Sequence, residues 1–340
     1  MLRRTMNAIG RRLLGLALAL APVSAGAADN VSFALDWVVN GTHSGYFTAR
    51  EKGFYKDVGL EVTIARGFGS GDTIKRVAAG SALIGLADTG AIIAARANDD
   101  IPVRIVAMIY DRATLGLIYL AQSGIKAPKD LEGRAIGRSA SGASVNMFPA
   151  FLKVNGIDRS KIREVVVDGA TFLPLLMSGQ VDAVLEQSIN IGKFRRAAAQ
   201  QGKTALGMRY SDFGLEAYGN AILVRTSTAQ EKSDLVRRFV AASLKGIAYA
   251  FDHPDEAIAI LRKHHPEVDA NAAMDELTTL KEMQTTAELR RVGLGHIDRN
   301  RMEKTRDNIT PALSLKRTVP VEDIYLTRYL PAMPVVPAGK

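Results

Sequence analysis

Four stretches of this chain carry side chains able to recognise a small molecule. The first, DWVVNGTHSGY, brings Asp36, Trp37, Asn40, His43 and Tyr46 close together in sequence, and Trp37 is the only tryptophan. An indole at a strand end can stack on a flat heteroaromatic ring and still donate one N–H bond, or it can plug a core. His43 can hydrogen-bond a ligand or cap the helix that follows. The second stretch is GFGSGD, residues 67–72, with Gly69 and Ser70 at a helix start. Small residues let backbone N–H groups approach a ligand, and a helix N-terminus favours acceptors or anions. A plain tight turn fits the same residues. Asp88-Thr89-Gly90 is a similar turn, where Asp88 either faces a ligand or caps the next helix.

The third stretch, RSASGA, holds Arg138, Ser139, Ser141, Gly142 and Ala143. Its backbone N–H groups can face a cleft, and Arg138 can pair a carboxylate or sulfonate, or point to solvent. The fourth is Glu186-Gln187. A cleft carboxylate accepts from an exocyclic amino group but repels a sulfonate, so Glu186 tilts the ligand toward a neutral or amino-bearing molecule. An exposed Glu at a helix start is the plainer account. Tyr210, Tyr218 and Asn220 stand where a second stacking face could form.

Catalysis finds little here. The phosphate-binding G-x-x-x-x-G-K-[ST] loop, the G-x-S-x-G elbow and the H-E-x-x-H metal motif are all missing. There is no cysteine, so no disulfide and no thiolate site, and the five histidines show no ligand spacing. No catalytic residue, metal or cofactor is expected.

These candidates matter because each follows a segment that reads as a strand. Period-two or β-branched runs at 31–35, 60–64, 83–87, 103–109, 135–137, 162–167 and 181–185 alternate with helical patterns at 44–56, 72–80, 91–98, 145–155 and 171–178. Asp72 is placed near the N-cap of one of these helices and Gly80 at its stop. Such alternation predicts an α/β protein with mostly parallel sheets flanked by helices. In open sheets of that kind, ligands bind outside the carboxyl ends of the strands. From residue 229 onward the patterns turn helical: 229–252, 254–263, 270–286 and 298–313. Residues 319–330 are expected to pack on the first lobe.

The N-terminus reads as a cleavable secretion signal, residues 1–28. Arg3, Arg4, Arg11 and Arg12 precede a short apolar run that ends in small residues. The net charge of +9 includes those four arginines, which leaves +5 spread along the rest. No basic block is interleaved with aromatics, so nucleic acid is not an expected partner. The length exceeds what one core usually serves and predicts two lobes: residues 29–111 with 222–330, and residues 112–221. Residues 331–340, rich in Pro and Ala, read as an unordered tail.

The stretch LDWVVNGTHSGYFTAREKGFYKDVGLEVTI, with AAGSALIGLADTGAIIAARAND and LMSGQVDAVLEQSINI, resembles ABC-transporter binding proteins for thiamine pyrimidine precursors. That branch is similar to nitrate, taurine and alkanesulfonate binders. The resemblance implies a two-lobed type II periplasmic binding-protein fold with the ligand in the interlobe cleft. It also implies a monomer in the periplasm that hands a small molecule to an inner-membrane permease and its ATPase. EQSINIGKF lacks the aromatic expected after the Asp-Ala-Val strand of the pyrimidine binders. Organic acids, aromatic carboxylates and taurine-like sulfonates therefore stay open as ligands. The same fold family includes a fungal pyrimidine synthase, whose cysteine-rich iron motif cannot be built from this chain.

Overall fold

A computed structural model describes residues 28–338. The expected secretion signal lies outside the described residues apart from Ala28. The chain starts β1 (Asp29–Ala34), α1 (Ser44–Glu51), β2 (Leu60–Ala65), α2 (Ser70–Ala79), β3 (Ile84–Asp88), α3 (Thr89–Asp99) and β4 (Val103–Met108). It continues through β5 (Gly116–Leu120), β6 (Ala135–Arg138), α4 (Ala143–Val154), β7 (Arg163–Val166), α5 (Phe172–Met177), β8 (Ala183–Val184), α6 (Ile191–Ala199) and β9 (Ala205–Arg209). It returns as β10 (Asn220–Arg225) and closes with helices α7 (Thr226–Glu231), α8 (Ser233–Asp252), α9 (Pro254–His264), α10 (Ala270–Gln284), α11 (Ala287–Val292) and α12 (Arg299–Ala312).

Two five-stranded sheets result, ordered β2-β1-β3-β10-β4 and β7-β6-β8-β5-β9. Each is mixed. In the first, β1 pairs in parallel with β2 and β3, while β10 lies antiparallel between β3 and β4. In the second, β6 is parallel to β7 and β8, and β5 runs against β8 and β9. One reversed strand, fourth in each order, therefore departs from the parallel pattern that strand–helix alternation suggests. The reason is connectivity: β5 and β10 are the strands by which the chain changes sheet.

The central strand β3 is buried along its whole length, as a strand covered on both faces should be. Around β1, Phe33 packs edge-on to Tyr46 at 4.9 Å and to Phe239 at 5.1 Å, which fixes α1 and α8 on one face of the first sheet. A second apolar cluster is shared by both sheets. It joins Ile92 and Ile105 to Met147, Phe151 and Ile136, with Met302 and Ile309 of α12 closing it.

Three local details differ from the expectations. The second helix starts at Ser70, because Gly69 takes φ 120° and turns the chain into it at once, so Asp72 lies in its first turn and is not the cap. Strands β5 and β9 and helices α6 and α11 lie outside the expected elements. Residues 331–338 are held: Leu294 N–H donates to Val335 O at 2.8 Å, and Ala338 N–H to Asp252 Oδ2 at 2.8 Å.

Candidate ligand-binding cleft

The loop after β1 is tied to the loop after β2. Gly69 N–H donates to Asp36 O at 2.9 Å and Gly67 N–H to Trp37 O at 3.0 Å, while Thr73 Oγ1 of α2 donates to Leu35 O at 2.7 Å. Held this way, Trp37 points out of the first lobe and into the second. Its indole packs with Phe172, Ile118 and Leu176, and the Phe172 ring lies 6.4 Å from it. Trp37 is 9% exposed, and its Nε1 is buried with no hydrogen-bond partner. A buried N–H left unpaired is costly.

Asp36, beside it, is buried and fully engaged. Oδ1 lies 2.9 Å from His43 Nε2, and Oδ2 accepts from Asn220 Nδ2 at 2.6 Å. His43 Nδ1 accepts from Asn40 N–H at 3.2 Å, so the imidazole proton sits on Nε2 and points at Asp36. Asn40 itself caps the following turn, with Oδ1 accepting from Thr42 N–H at 3.0 Å and Thr42 Oγ1 at 2.7 Å. Tyr46 is core beneath this network, and burial holds its hydroxyl well above the ordinary phenol range.

From the second lobe, Ser139 Oγ accepts Gly142 N–H at 3.0 Å at the start of α4. Glu186 follows β8 and is buried. Its Oε1 accepts from Gln187 N–H at 2.8 Å and Asn190 Nδ2 at 2.9 Å. Its Oε2 has no hydrogen-bond partner; Lys193 Nζ stands 3.8 Å away. Behind it, Glu276 of α10 accepts Gly41 N–H at 2.8 Å. Burial pushes the Glu276 carboxyl up to about 7, against the pull of Lys193 and of the Gly41 N–H.

The lobes meet along GFGSGD and RSASGA. Ser141 Oγ donates to Phe68 O at 3.0 Å, and Gly71 N–H donates to Ser141 O at 3.3 Å. A β-carbon at Gly69 would overlap Ser141, so this approach needs glycine. Between the lobes lies a cavity of about 390 Å³, walled by Trp37, Val38, Arg66 and Phe68 on one side and by Ser139, Ala140 and residues 166–169 on the other. A second space of about 10 Å³, near the room one water needs, is bounded by Asp36, Trp37, Ser70, Ser144, Glu186 and Gln187 among others. Trp37 is the wall they share.

The candidates thus divide. Trp37, Ser70, Ser139, Gly142, Ala143 and Glu186 border these spaces. Gly69 and Ser141 join the lobes, and His43 and Asn40 position Asp36. Asp88 caps α3, Oδ1 accepting Ala91 N–H at 3.1 Å, and burial pushes its carboxyl up to about 7. Arg138 is paired with Glu164. Tyr218 faces α12: its hydroxyl accepts Asp298 N–H at 3.0 Å, and Arg301 covers its ring. Tyr210 stacks on Phe151 at 4.4 Å inside the second lobe. Neither tyrosine offers a face to Trp37. Sequence reading missed Val38, Arg66, Val166, Val167, Asp168 and Gly169. Asp168 and Gly169 directly follow the strand-like run at 162–167, a position where ligands bind in open sheets.

Two α/β lobes with mixed five-stranded sheets, and a ligand-sized space between them, define the periplasmic binding-protein fold. The alkanesulfonate-binding protein SsuA of Xanthomonas axonopodis pv. citri superposes with a TM-score of 0.66 over 88% of this chain and 100% of its own, at 14% identity. The chain belongs to the NMT1/THI5-like family, which matches residues 40–257. Among its relatives, the formylaminopyrimidine-binding protein of Halalkalibacterium halodurans is 25% identical over 244 residues, 72% of this chain and 73% of the relative. The riboflavin-binding protein RibY of Chloroflexus aurantiacus is 25% identical over 314 residues, 89% of this chain and 86% of that one.

Proposed function

We propose that this protein is the periplasmic solute-binding component of an ABC importer, capturing a small heteroaromatic ligand of the aminopyrimidine, thiamine-precursor type by closure of its lobes. The observation that carries this reading is a pair of unused hydrogen-bonding atoms around the cleft. Trp37 Nε1 is a donor without an acceptor, and Glu186 Oε2 is an acceptor without a hydrogen-bond donor. The indole face stacks on a flat ring. The water-sized space beside Glu186 takes a small polar substituent such as an amino group, directly or through one water. Both relatives are named for flat nitrogen heterocycles, which supports the class.

Walls from both lobes let a ligand favour the closed arrangement, since only differential affinity can shift the lobes. Closed protein then presents surfaces of both lobes to the permease, whose ATPase drives uptake; a monomer suffices. The signal-like N-terminus supports export to the periplasm. Arg66 at the cavity is the one feature that favours an organic acid or sulfonate, but Asp36 and Glu186 beside the inner space repel an anion. A binder also fits better than an enzyme, because both nitrogens of His43 are already engaged and neither is free as a base.

Trp37→Ala and Glu186→Gln should each weaken binding of 4-amino-5-hydroxymethyl-2-methylpyrimidine at least tenfold by calorimetry. Affinity within twofold of the parent for both variants would remove this site from the reading.

A further inference from the structure

The turn Gly67-Phe68-Gly69 helps wall the cleft, yet the ring of Phe68 has been given no part in binding, and much of the local geometry serves to hold it. A β-carbon at Gly67 would overlap the Leu35 carbonyl, and one at Gly69 would overlap Ser141. Two glycines are therefore needed to carry the chain through this turn, and the residue between them is a phenylalanine that is 53% exposed. Its backbone is not loose: Phe68 O accepts Ser141 Oγ across the lobes at 3.0 Å. Its ring is covered on one face by the Arg66 guanidinium, 4.5 Å from the centroid. Across the cavity stands Val166, 57% exposed, at the end of β7. These are two of six large exposed apolar side chains among the described residues. They come from different lobes and line one cavity with Trp37, Val38 and Val167.

Exposed apolar surface that is rigidly held and faces itself across a cleft is surface waiting to be covered. The cavity is about 390 Å³, within the range of sites for drug-sized ligands, roughly 300–1,000 Å³. A single pyrimidine ring stacked on Trp37 leaves much of that volume unfilled. The inner space beside Glu186 has no room for a ring, so the unfilled part lies outward, between Phe68 and Val166.

We infer that Phe68 and Val166 form an outer apolar subsite that receives a second ring, and that the preferred ligand is an aminopyrimidine carrying such a ring. This rests on the heteroaromatic-binding reading above and adds the size of the ligand to it. The first ring stacks on Trp37. The second is clasped by Phe68 from one lobe and Val166 from the other, so ligand size adds directly to closure.

The test compares two probes with the same amino-bearing ring, 4-aminopyrimidine and 4-aminoquinazoline, the second carrying one more fused apolar ring. Ligand-stripped protein is titrated with each, following Trp37 emission and calorimetric heat. The fused probe should bind at least tenfold tighter. Phe68→Ala should abolish that advantage, so that the two probes bind within twofold of each other. Phe68 is exposed, and an unchanged melting temperature confirms that the variant is folded. Equal affinity for the two probes in the parent protein overturns the outer subsite and leaves heteroaromatic binding intact. So does a Phe68→Ala variant that keeps the full preference. Failure of the underlying reading looks different: neither probe binds, in either protein, and both claims fall.

Discussion

The indole of Trp37, carried by the first lobe, lies directly on the backbone of Gly169 in the second, where a β-carbon would overlap Cζ2. The contact exists only while the lobes are together. Gly169→Ala should therefore displace the indole or hold the lobes apart. We expect affinity for a pyrimidine ligand to fall at least tenfold, with Trp37 emission shifted to the red as the ring meets water. Unaltered emission and affinity would mean that Trp37 does not need this seat.

Asp36 organises the floor of the cleft from below. Asp36→Asn leaves one acceptor where two donors arrive, His43 Nε2–H and Asn220 Nδ2, and so sets donor against donor. A buried donor without a partner costs about 1–3 kcal/mol. Urea unfolding should show a loss of that order, and His43 should report a changed proton environment by NMR.

Glu276 gives the fold a pH dependence of known sign. Its carboxyl, ordinarily near 4.5, is pushed to about 7 by burial, so the folded state binds a proton that the unfolded chain releases. Its contribution to stability is then full below about pH 4.5 and lost as pH rises through 7. Lys193, Glu186 and His43 face it. Glu276→Gln keeps an oxygen for Gly41 N–H and removes the titration. The melting temperature of the variant relative to the parent should be near zero difference at pH 4.5 and grow steadily more positive to pH 8. A constant difference across that range would show that Glu276 does not titrate there.

Much of this was legible in the sequence, and the misses have physical causes. Hydrophobic periodicity located β1, β2 and β3 because each is followed by a helix that turns back on the sheet, and β4 because it is a short, almost wholly buried apolar run. The reversed strand β5 was harder. β5, GLIYL, is a buried apolar run whose partner β9 lies far along the chain, and pairing of that kind leaves no local mark. Trp37 and Glu186, which border the cleft spaces, were legible as candidates because they follow strands. Arg138 follows one too, yet Glu164 on the neighbouring β7 claims its charge. Tyr218 failed for a similar reason, since α12 supplies both its hydrogen bond and its cation, and nothing local to Tyr218 announces that helix. The Asp36–His43 pair was within reach of sequence, seven residues apart. Its role as a positioning unit needed Asn220, which arrives only when β10 returns to the first sheet.

The most direct measurement is a titration of ligand-stripped protein, following Trp37 emission and melting temperature. The ligands are 4-amino-5-hydroxymethyl-2-methylpyrimidine and its formylaminomethyl analogue, set against taurine, an alkanesulfonate and an aromatic carboxylate. A ligand at about 100 times its dissociation constant stabilises by roughly 2.7 kcal/mol, which a melting curve resolves. A response to the pyrimidines, with changed Trp37 emission and none with the sulfonates, is the expected result. A shift produced by an acid or sulfonate while both pyrimidines stay silent would contradict heteroaromatic capture at Trp37 and Glu186.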